Sequence, residues 1–181
     1  AFGEDLVPGC YEDLDSADLV VLVGSNAAWC HPILFQRLEA ARETRGTRIV
    51  VIDPRRTATA ASADLHLAAA AGTDVLLFNG LLAHLAAADA IDPAYIDSHT
   101  SGFAEALTAA KAEARYLTTV ADDCGLDPRD LKVFYDWFAK TEKTVTAYSQ
   151  GVNQSSAGTD KVNAIINCHL ATGRIGRPGM G

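Results

Sequence analysis

Two apolar runs of strand length, each ended by a residue that turns the chain, constrain this sequence more than any other feature. Asp18-Leu-Val-Val-Leu-Val-Gly24 and Arg48-Ile-Val-Val-Ile-Asp53 are rich in β-branched residues and show no alternation of apolar with polar positions. Each strand is therefore expected to be buried on both faces, as in the centre of a parallel sheet. Parallel neighbours need a crossover between them, usually a helix. The intervening segment supplies one: Ser25-Asn26 and Pro32 open it, Ile33, Leu34, Arg37, Leu38 and Ala41 recur at helical spacing, and Gly46 ends it.

The same alternation continues. Beyond Asp53 and Pro54 come a small-residue stretch and a short third strand, Leu65-His-Leu67. Gly72-Thr73-Asp74 then offers an N-cap to a helix carrying Val75, Leu77, Phe78, Leu81, Leu82 and Leu85. Residues 91–140 read as helices divided at Asp92-Pro93, Ser101-Gly102 and Gly125 to Pro128, with Leu131, Phe134, Tyr135 and Phe138 on one apolar face. Thr144-Val-Thr-Ala-Tyr148 is a further strand, Thr159 to Leu170 a further helix, and Gly173 to Gly181 a loop. Strands alternating with helices over 181 residues predict one domain, residues 1–181: an α/β fold with a doubly wound, mostly parallel, Rossmann-like sheet and helices on both faces.

Composition narrows the function. Fifteen Lys and Arg against 23 Asp and Glu leave a formal charge of −8, with no basic cluster beyond Arg55-Arg56, so nucleic acid is not an expected partner. Apolar runs fall well short of the roughly 20 residues that cross a bilayer; no membrane segment is expected, and a cytoplasmic setting follows. Cys10, Cys30, Cys124 and Cys168 form no CxxC pair, and His31, His66, His84, His99 and His169 show no metal spacing. No metal site is expected. A chain that opens at Ala1 without Met and stops within a Gly/Pro turn is expected to be a piece of a larger protein.

In an open parallel sheet a ligand lies across the carboxyl ends of the strands. The residues after each strand are Gly24, Ser25 and Asn26; Asp53, Arg55 and Thr57; Gly72, Thr73 and Asp74; and Gln150, Gly151, Asn153 and Gln154. Glycine admits close approach to a pyrophosphate, Asp53 suits ribose hydroxyls, Asp74 suits the N1–H and 2-amino group of guanine, and Arg55 or Arg56 suits phosphate. Each has a plainer reading as well. Gly24 and Gly151 end strands, Asp53 forms a turn before Pro54, Asp74 caps a helix, the arginines are solvated, and the cysteines are buried apolar residues or idle thiols. Neither G-x-G-x-x-G, nor a P-loop, nor a G-x-S-x-G elbow is present.

Several ordered motifs carry a family resemblance over essentially the whole chain. Val23-Gly-Ser-Asn-Ala-Ala-Trp-Cys-His-Pro32, Val51-Ile-Asp-Pro-Arg-Arg-Thr57 with Ala63-Asp64 and Gly72-Thr-Asp74, Ser149-Gln-Gly-Val-Asn-Gln154, and the run Asn163 to Gly179 resemble molybdopterin oxidoreductases of the dimethyl sulfoxide reductase family. Within it, Pro8-Gly-Cys-Tyr-Glu-Asp-Leu14 and the Ser149 to Gln154 run are most similar to the catalytic subunits of bacterial assimilatory nitrate reductases. The resemblance implies a molybdenum bis(molybdopterin guanine dinucleotide) cofactor, an iron–sulfur cluster in the intact enzyme that this fragment does not bind, and reduction of nitrate to nitrite.

It further implies that this is the central dinucleotide-binding domain. Gly24, Ser25, Asn26 and His31 would lie near the pyrophosphate, Asp53, Arg55 and Thr57 near the nucleotide, Gly72 and Asp74 at the guanosine, and Gln150, Gly151 and Gln154 along the pterin. The family's closely spaced cluster cysteines and its metal-ligating residue are absent from this sequence, so no catalytic residue is expected here. Implied partners are the remaining domains of the same enzyme and an electron donor: ferredoxin, flavodoxin or an NADH-linked protein. A formate dehydrogenase-type domain and a noncatalytic NADP- or nucleotide-binding module are the alternatives.

Overall fold

The structure, a computed structural model, describes residues 6–181, so the first five residues of the expected 1–181 domain lie outside it. Strands β1 (Leu19–Val23), β2 (Arg48–Ile52), β3 (Leu65–Leu67) and β4 (Thr144–Tyr148) form a parallel sheet in the order β3-β2-β1-β4. Val21 of β1 lies opposite Val50 on one side and Thr146 on the other. All five β1 residues are buried because the strand has neighbours on both edges and helices over both faces.

Alternate strand residues feed two cores. Leu19, Val21, Val23, Val50, Ile52 and Leu67 point to one face, while Val20, Leu22, Ile49 and Val51 point to the other. Over the second face lie α1 (Tyr11–Ser16), α2 (Ala27–Cys30), α3 (Pro32–Arg45) and α4 (Ala58–Ala61), contributing Leu14, Ala27, Leu38 and Ala60. The larger core is closed by α5 (Asp74–Ala87), α7 (Phe103–Glu113), α8 (Leu117–Cys124), α9 (Pro128–Lys140) and α11 (Gly158–Ala171). The remaining helices are α6 (Pro93–His99), which packs on α11, and α10 (Gln150–Asn153), which follows β4 directly. The doubly wound α/β sheet expected from the sequence is the fold observed.

Local chemistry sets the helix ends. Pro32 begins α3 and Gly46, at φ +76°, ends it with a left-handed cap. Asp92 and Asp127 cap α6 and α9 by accepting from Tyr95 N and Arg129 N, each with proline next in the helix. Three short helices were invisible to periodicity: α1, α4 in the stretch of small residues after Asp53, and α10 after β4. Four residues are too few to display a 3.6-residue repeat, and the readable signal for α4 is its cap, since Thr57 Oγ1 accepts from Ala60 N at 3.3 Å.

The tail is irregular, as expected, yet firmly attached. Gly181 N donates to Thr144 O at 3.0 Å, and Thr146 N donates to Gly181 O at 2.8 Å, so the tail pairs with the outer edge of β4. Arg174 is buried and donates to the carbonyls of Phe138 and Thr141, both at 2.7 Å, closing the C-terminal end of α9. Its guanidinium also lies 4.5 Å from the centre of the Phe138 ring. Burial lowers the Arg174 pKa to about 10, which leaves it charged at neutral pH. His169 packs edge-on against the same ring, with Nε2 2.7 Å from Thr146 Oγ1. Burial, followed by the nearby Arg174 charge, pushes His169 down to about 3.

At the carboxyl ends of β1 and β4 the backbone of two turns touches. Gly151 N donates to Gly24 O at 3.1 Å, and Gly24 adopts φ +55°. A Cβ on Gly151 would stand 2.8 Å from both Cα and O of Gly24, with backbone rather than a flexible side chain in the way.

Two stability predictions follow from these contacts. Gly151→Ala should lower unfolding free energy by roughly 1–3 kcal/mol through overpacking of backbone on backbone, read as a lower urea midpoint at unchanged slope; an unchanged midpoint would contradict the contact. His169 is neutral in the fold at pH values where the unfolded chain takes up a proton. Its contribution is therefore present above the ordinary histidine pKa of about 6.5 and is lost as pH falls toward 3. Between about pH 7 and pH 4.5, His169→Gln should lose less stability than the parent chain in denaturant titrations; equal losses would show that His169 carries none of the acid sensitivity.

Candidate functional site

Because every strand points the same way, the four turns that leave their carboxyl ends line one rim. The turn after β1 is anchored first. Gly24 N donates to Ile52 O at 2.9 Å, Ser25 is buried, and Asn26 begins α2 with its carbonyl accepting from Trp29 N and Cys30 N. The Asn26 side chain does not cap the helix. Its Oδ1 accepts from Thr59 Oγ1 at 2.9 Å, while Thr59 Oγ1 accepts from Ala28 N at 3.0 Å. Thr59, buried in α4, thus ties the β1 turn to the β2 turn. His31 sits exposed at the joint of α2 and α3 beside the exposed Trp29 and Ile33.

After β2 the chain makes an Asx turn. Asp53 is 3% exposed, its Oδ1 accepts from Arg55 N at 2.9 Å, and its carbonyl lies 2.9 Å from His66 Nε2. The turn-forming reading of Asp53 is therefore realised in full. Arg55 stays 77% exposed, with Nε 3.6 Å from that carboxylate, and Thr57 caps α4. The guanidinium of Arg55 is thus available at the rim instead of being consumed by the turn.

After β3, Gly72 takes φ +94°, with open space where a Cβ would be. Thr73 occupies the N-cap position of α5, but its hydroxyl donates to Ala70 O at 2.7 Å and makes no side-chain cap. The capping role expected of this turn is not carried by the Thr73 side chain, whose backbone at φ −94° and ψ 8° departs from the extended geometry that aims a capping oxygen at the first turn. Asp74 starts α5 and forms an ion pair with Lys161 Nζ at 2.7 Å. Lys161 comes from α11 and is itself buried, its side chain 7% exposed. The sequence reading missed it. The available signal was its spacing, since Lys161, Ala164, Ile165 and Cys168 recur at helical intervals and all are buried.

After β4, the residues named as strand-end candidates form the short helix α10. Gln150, Gly151, Asn153 and Gln154 are exposed, while Val152 anchors the turn in the larger core. The structure thus brings Gly24 against Gly151 and joins the Asn26 turn to α4. Asp74 is linked with Lys161, and Arg55, Gly72, Gln150 and Gln154 stand at the surface of the same rim. His31 lies at its edge.

No group of three or more His, Cys, Asp or Glu residues suited to holding a metal ion occurs among the described residues. Cys10 and Cys30 are exposed, whereas burial raises the pKa of Cys124 and Cys168, which keeps both as neutral thiols at neutral pH. What the turns do offer is backbone exposed through glycine, the exposed guanidinium groups of Arg55 and Arg56, amide side chains and a lysine–carboxylate pair. That set suits an elongated ligand carrying phosphate at one place and a hydrogen-bonding ring at another.

Comparison with known proteins agrees with this architecture. A nitrate reductase of Shewanella frigidimarina is 52% identical over 181 residues, covering all of this chain and 19% of the relative. The F420-dependent formate dehydrogenase subunit alpha of Methanocaldococcus jannaschii is 33% identical over 99% of this chain and 26% of its own length. The chain thus spans about a fifth to a quarter of the curated relatives it matches. Among solved structures, acetylene hydratase from Pelobacter acetylenicus superposes with a TM-score of 0.77 over 90% of this chain and 24% of its own, at 21% identity, a likeness of fold. The family model for molybdopterin oxidoreductase matches residues 2–181. With that match spanning nearly every residue and a relative identical at half of all positions, the chain belongs to the molybdopterin oxidoreductase family.

Proposed function

We propose that this chain is the dinucleotide-binding domain of an assimilatory nitrate reductase and holds one guanine dinucleotide arm of a molybdenum bis(molybdopterin guanine dinucleotide) cofactor. The observation that carries the reading is the meeting of the β1 and β4 turns, backbone to backbone, through two residues without side chains, of which Gly151 is exposed at the rim. A pyrophosphate needs such bare backbone, and the residues around it match the rest of an arm. Arg55 supplies positive charge to phosphate. Asp53 fixes the turn that carries Arg55, and the Asp74 carboxylate accepts from guanine. Gln150, Asn153 and Gln154 offer amides toward the pterin, while Ser25, Asn26, His31, Thr57, Gly72 and Thr73 shape the walls.

Within this reading the protein binds and orients, and the bound molybdenum–pterin group supplies the two-electron redox chemistry. The iron–sulfur cluster and the metal-ligating residue belong to other parts of the enzyme. An electron donor such as ferredoxin, flavodoxin or an NADH-linked protein, and a cytoplasmic setting, complete the proposal. No helix among the described residues is long and apolar enough to cross a membrane.

Formate dehydrogenase chemistry is the competing reading, favoured by the formate dehydrogenase relative. The full-length protein should form nitrite from nitrate with a reduced viologen dye and should not oxidise formate; the reverse pattern would overturn the nitrate assignment. At the level of the arm, Asp74→Asn should weaken cofactor retention by about 1.5–3 kcal/mol, since a charged acceptor is replaced by a neutral one. Pterin and molybdenum content after limiting reconstitution measures this, and full occupancy would remove Asp74 from the site.

A further inference from the structure

We infer that Lys161 and Asp74 act together as a reader of the guanine edge, Lys161 Nζ donating to O6 while the Asp74 carboxylate accepts from N1–H and the 2-amino group. The inference rests on the guanine-dinucleotide reading above and adds to it the residue that selects the base.

Burial is the first argument. Lys161 lies on the inward stripe of α11 with Ala164, Ile165 and Cys168, at a position where an apolar side chain would pack without difficulty. Replacing a buried ion pair by apolar residues is often neutral or stabilising, so stability alone does not account for a lysine there. Its place does: Nζ reaches Asp74 at 2.7 Å, at the first residue of α5, where the β3 turn opens onto the rim.

Donor and acceptor order is the second. An ammonium carries three N–H donors and no acceptor, a carboxylate only acceptors. Asp74 meets one of the three donors, and the pair presents a donor next to an acceptor. Guanine presents the complement, the acceptor O6 beside the donors N1–H and N2–H₂. Adenine presents the opposite order at these places, an amino group facing Lys161 and an unprotonated N1 facing Asp74. Either mismatch leaves a buried polar group unpaired, which is the most effective way to discriminate between ligands.

Access is the third. Asp74 keeps 19% of its side chain exposed, so the pair is reached through its carboxylate side, and the turn before it is open at Gly72, where a built Cβ meets nothing within 4 Å. Thr73 turns its hydroxyl away to Ala70 O, so it does not cover the start of α5 either.

Calorimetric titration of the full-length protein, freed of cofactor, with GDP, 6-thio-GDP and ADP tests the inference. Wild type should prefer GDP to ADP by about tenfold or more, and GDP to 6-thio-GDP, whose sulfur is the weaker acceptor. Lys161→Met should lower GDP affinity about tenfold and bring the GDP to 6-thio-GDP ratio close to one, while Lys161→Arg, which keeps a charged donor, should retain a preference for GDP. The ratio of two affinities does not depend on the fraction of protein that is folded, so partial misfolding of a variant does not mask the result. If Lys161→Met binds GDP with the wild-type ratio, Lys161 merely holds Asp74 and the inference falls while the arm reading stands. If wild type binds neither guanine nucleotide, both fall together.

Discussion

The pairing of β1 with a parallel neighbour on each edge decides most of what this molecule can do. A strand bonded on both edges and covered on both faces has no exposed residue, and all five β1 positions are buried. Parallel direction then obliges every connection to cross the sheet, which sends α2 to α4 over one face and the α5 to α9 segment over the other. The consequence for function is spatial. The chain leaves β1 over one face and β4 over the other, so the connections change faces between these two neighbouring strands, the position at which ligands commonly bind in open parallel sheets. Gly24 and Gly151 sit there, in contact.

How much of this could be read from residues follows from how strongly each feature is local. The strands were legible because burial on both faces erases alternation, and Leu19 to Val23 and Arg48 to Ile52 carry that mark. The helix boundaries at Pro32, Gly46, Asp92-Pro93 and Asp127-Pro128 were legible because caps and prolines act within a few residues. The candidate positions at the strand ends were legible because the sheet's direction, once inferred, dictates where turns face. What escaped depends on partners distant in sequence. Thr59 matters because it bonds Asn26, 33 residues away. Lys161 matters because of Asp74, and Arg174 because of two carbonyls at the end of α9. No window of ten or fifteen residues contains those pairs.

The distribution of charge explains how an acidic chain can offer a home to an anion. Net charge is −8, and several cations are engaged in pairs or stacked on rings: Arg37 with Asp15, Arg42 with Asp64, Arg45 with Asp18, Arg177 with Asp92, and Arg48 over Trp137. These contacts sit over the helical faces and the amino-terminal side of the sheet. Arg55 differs. Its partner, Asp53, accepts chiefly from the Arg55 backbone amide, at 2.9 Å, and only distantly from the side chain, at 3.6 Å. A guanidinium that is more than three-quarters exposed and loosely paired loses little solvation or partner energy when a phosphate replaces water beside it.

The same accounting separates the two buried cations. Arg174 donates through Nη2 to two carbonyl oxygens at the negative end of a helix and stacks on Phe138, with no carboxylate in ion-pair contact. It is a fastening of the tail, at the end of the sheet opposite the rim. Lys161 instead faces a carboxylate at a helix start, where the α5 dipole is positive and disfavours a second cation. Asp74 offsets that repulsion and in turn is favoured by both the dipole and the ammonium. A lysine held against a single carboxylate at a helix start is thus a different arrangement from an arginine clamped on backbone carbonyls: the first joins α11 to the β3 turn at the rim, the second joins the tail to α9.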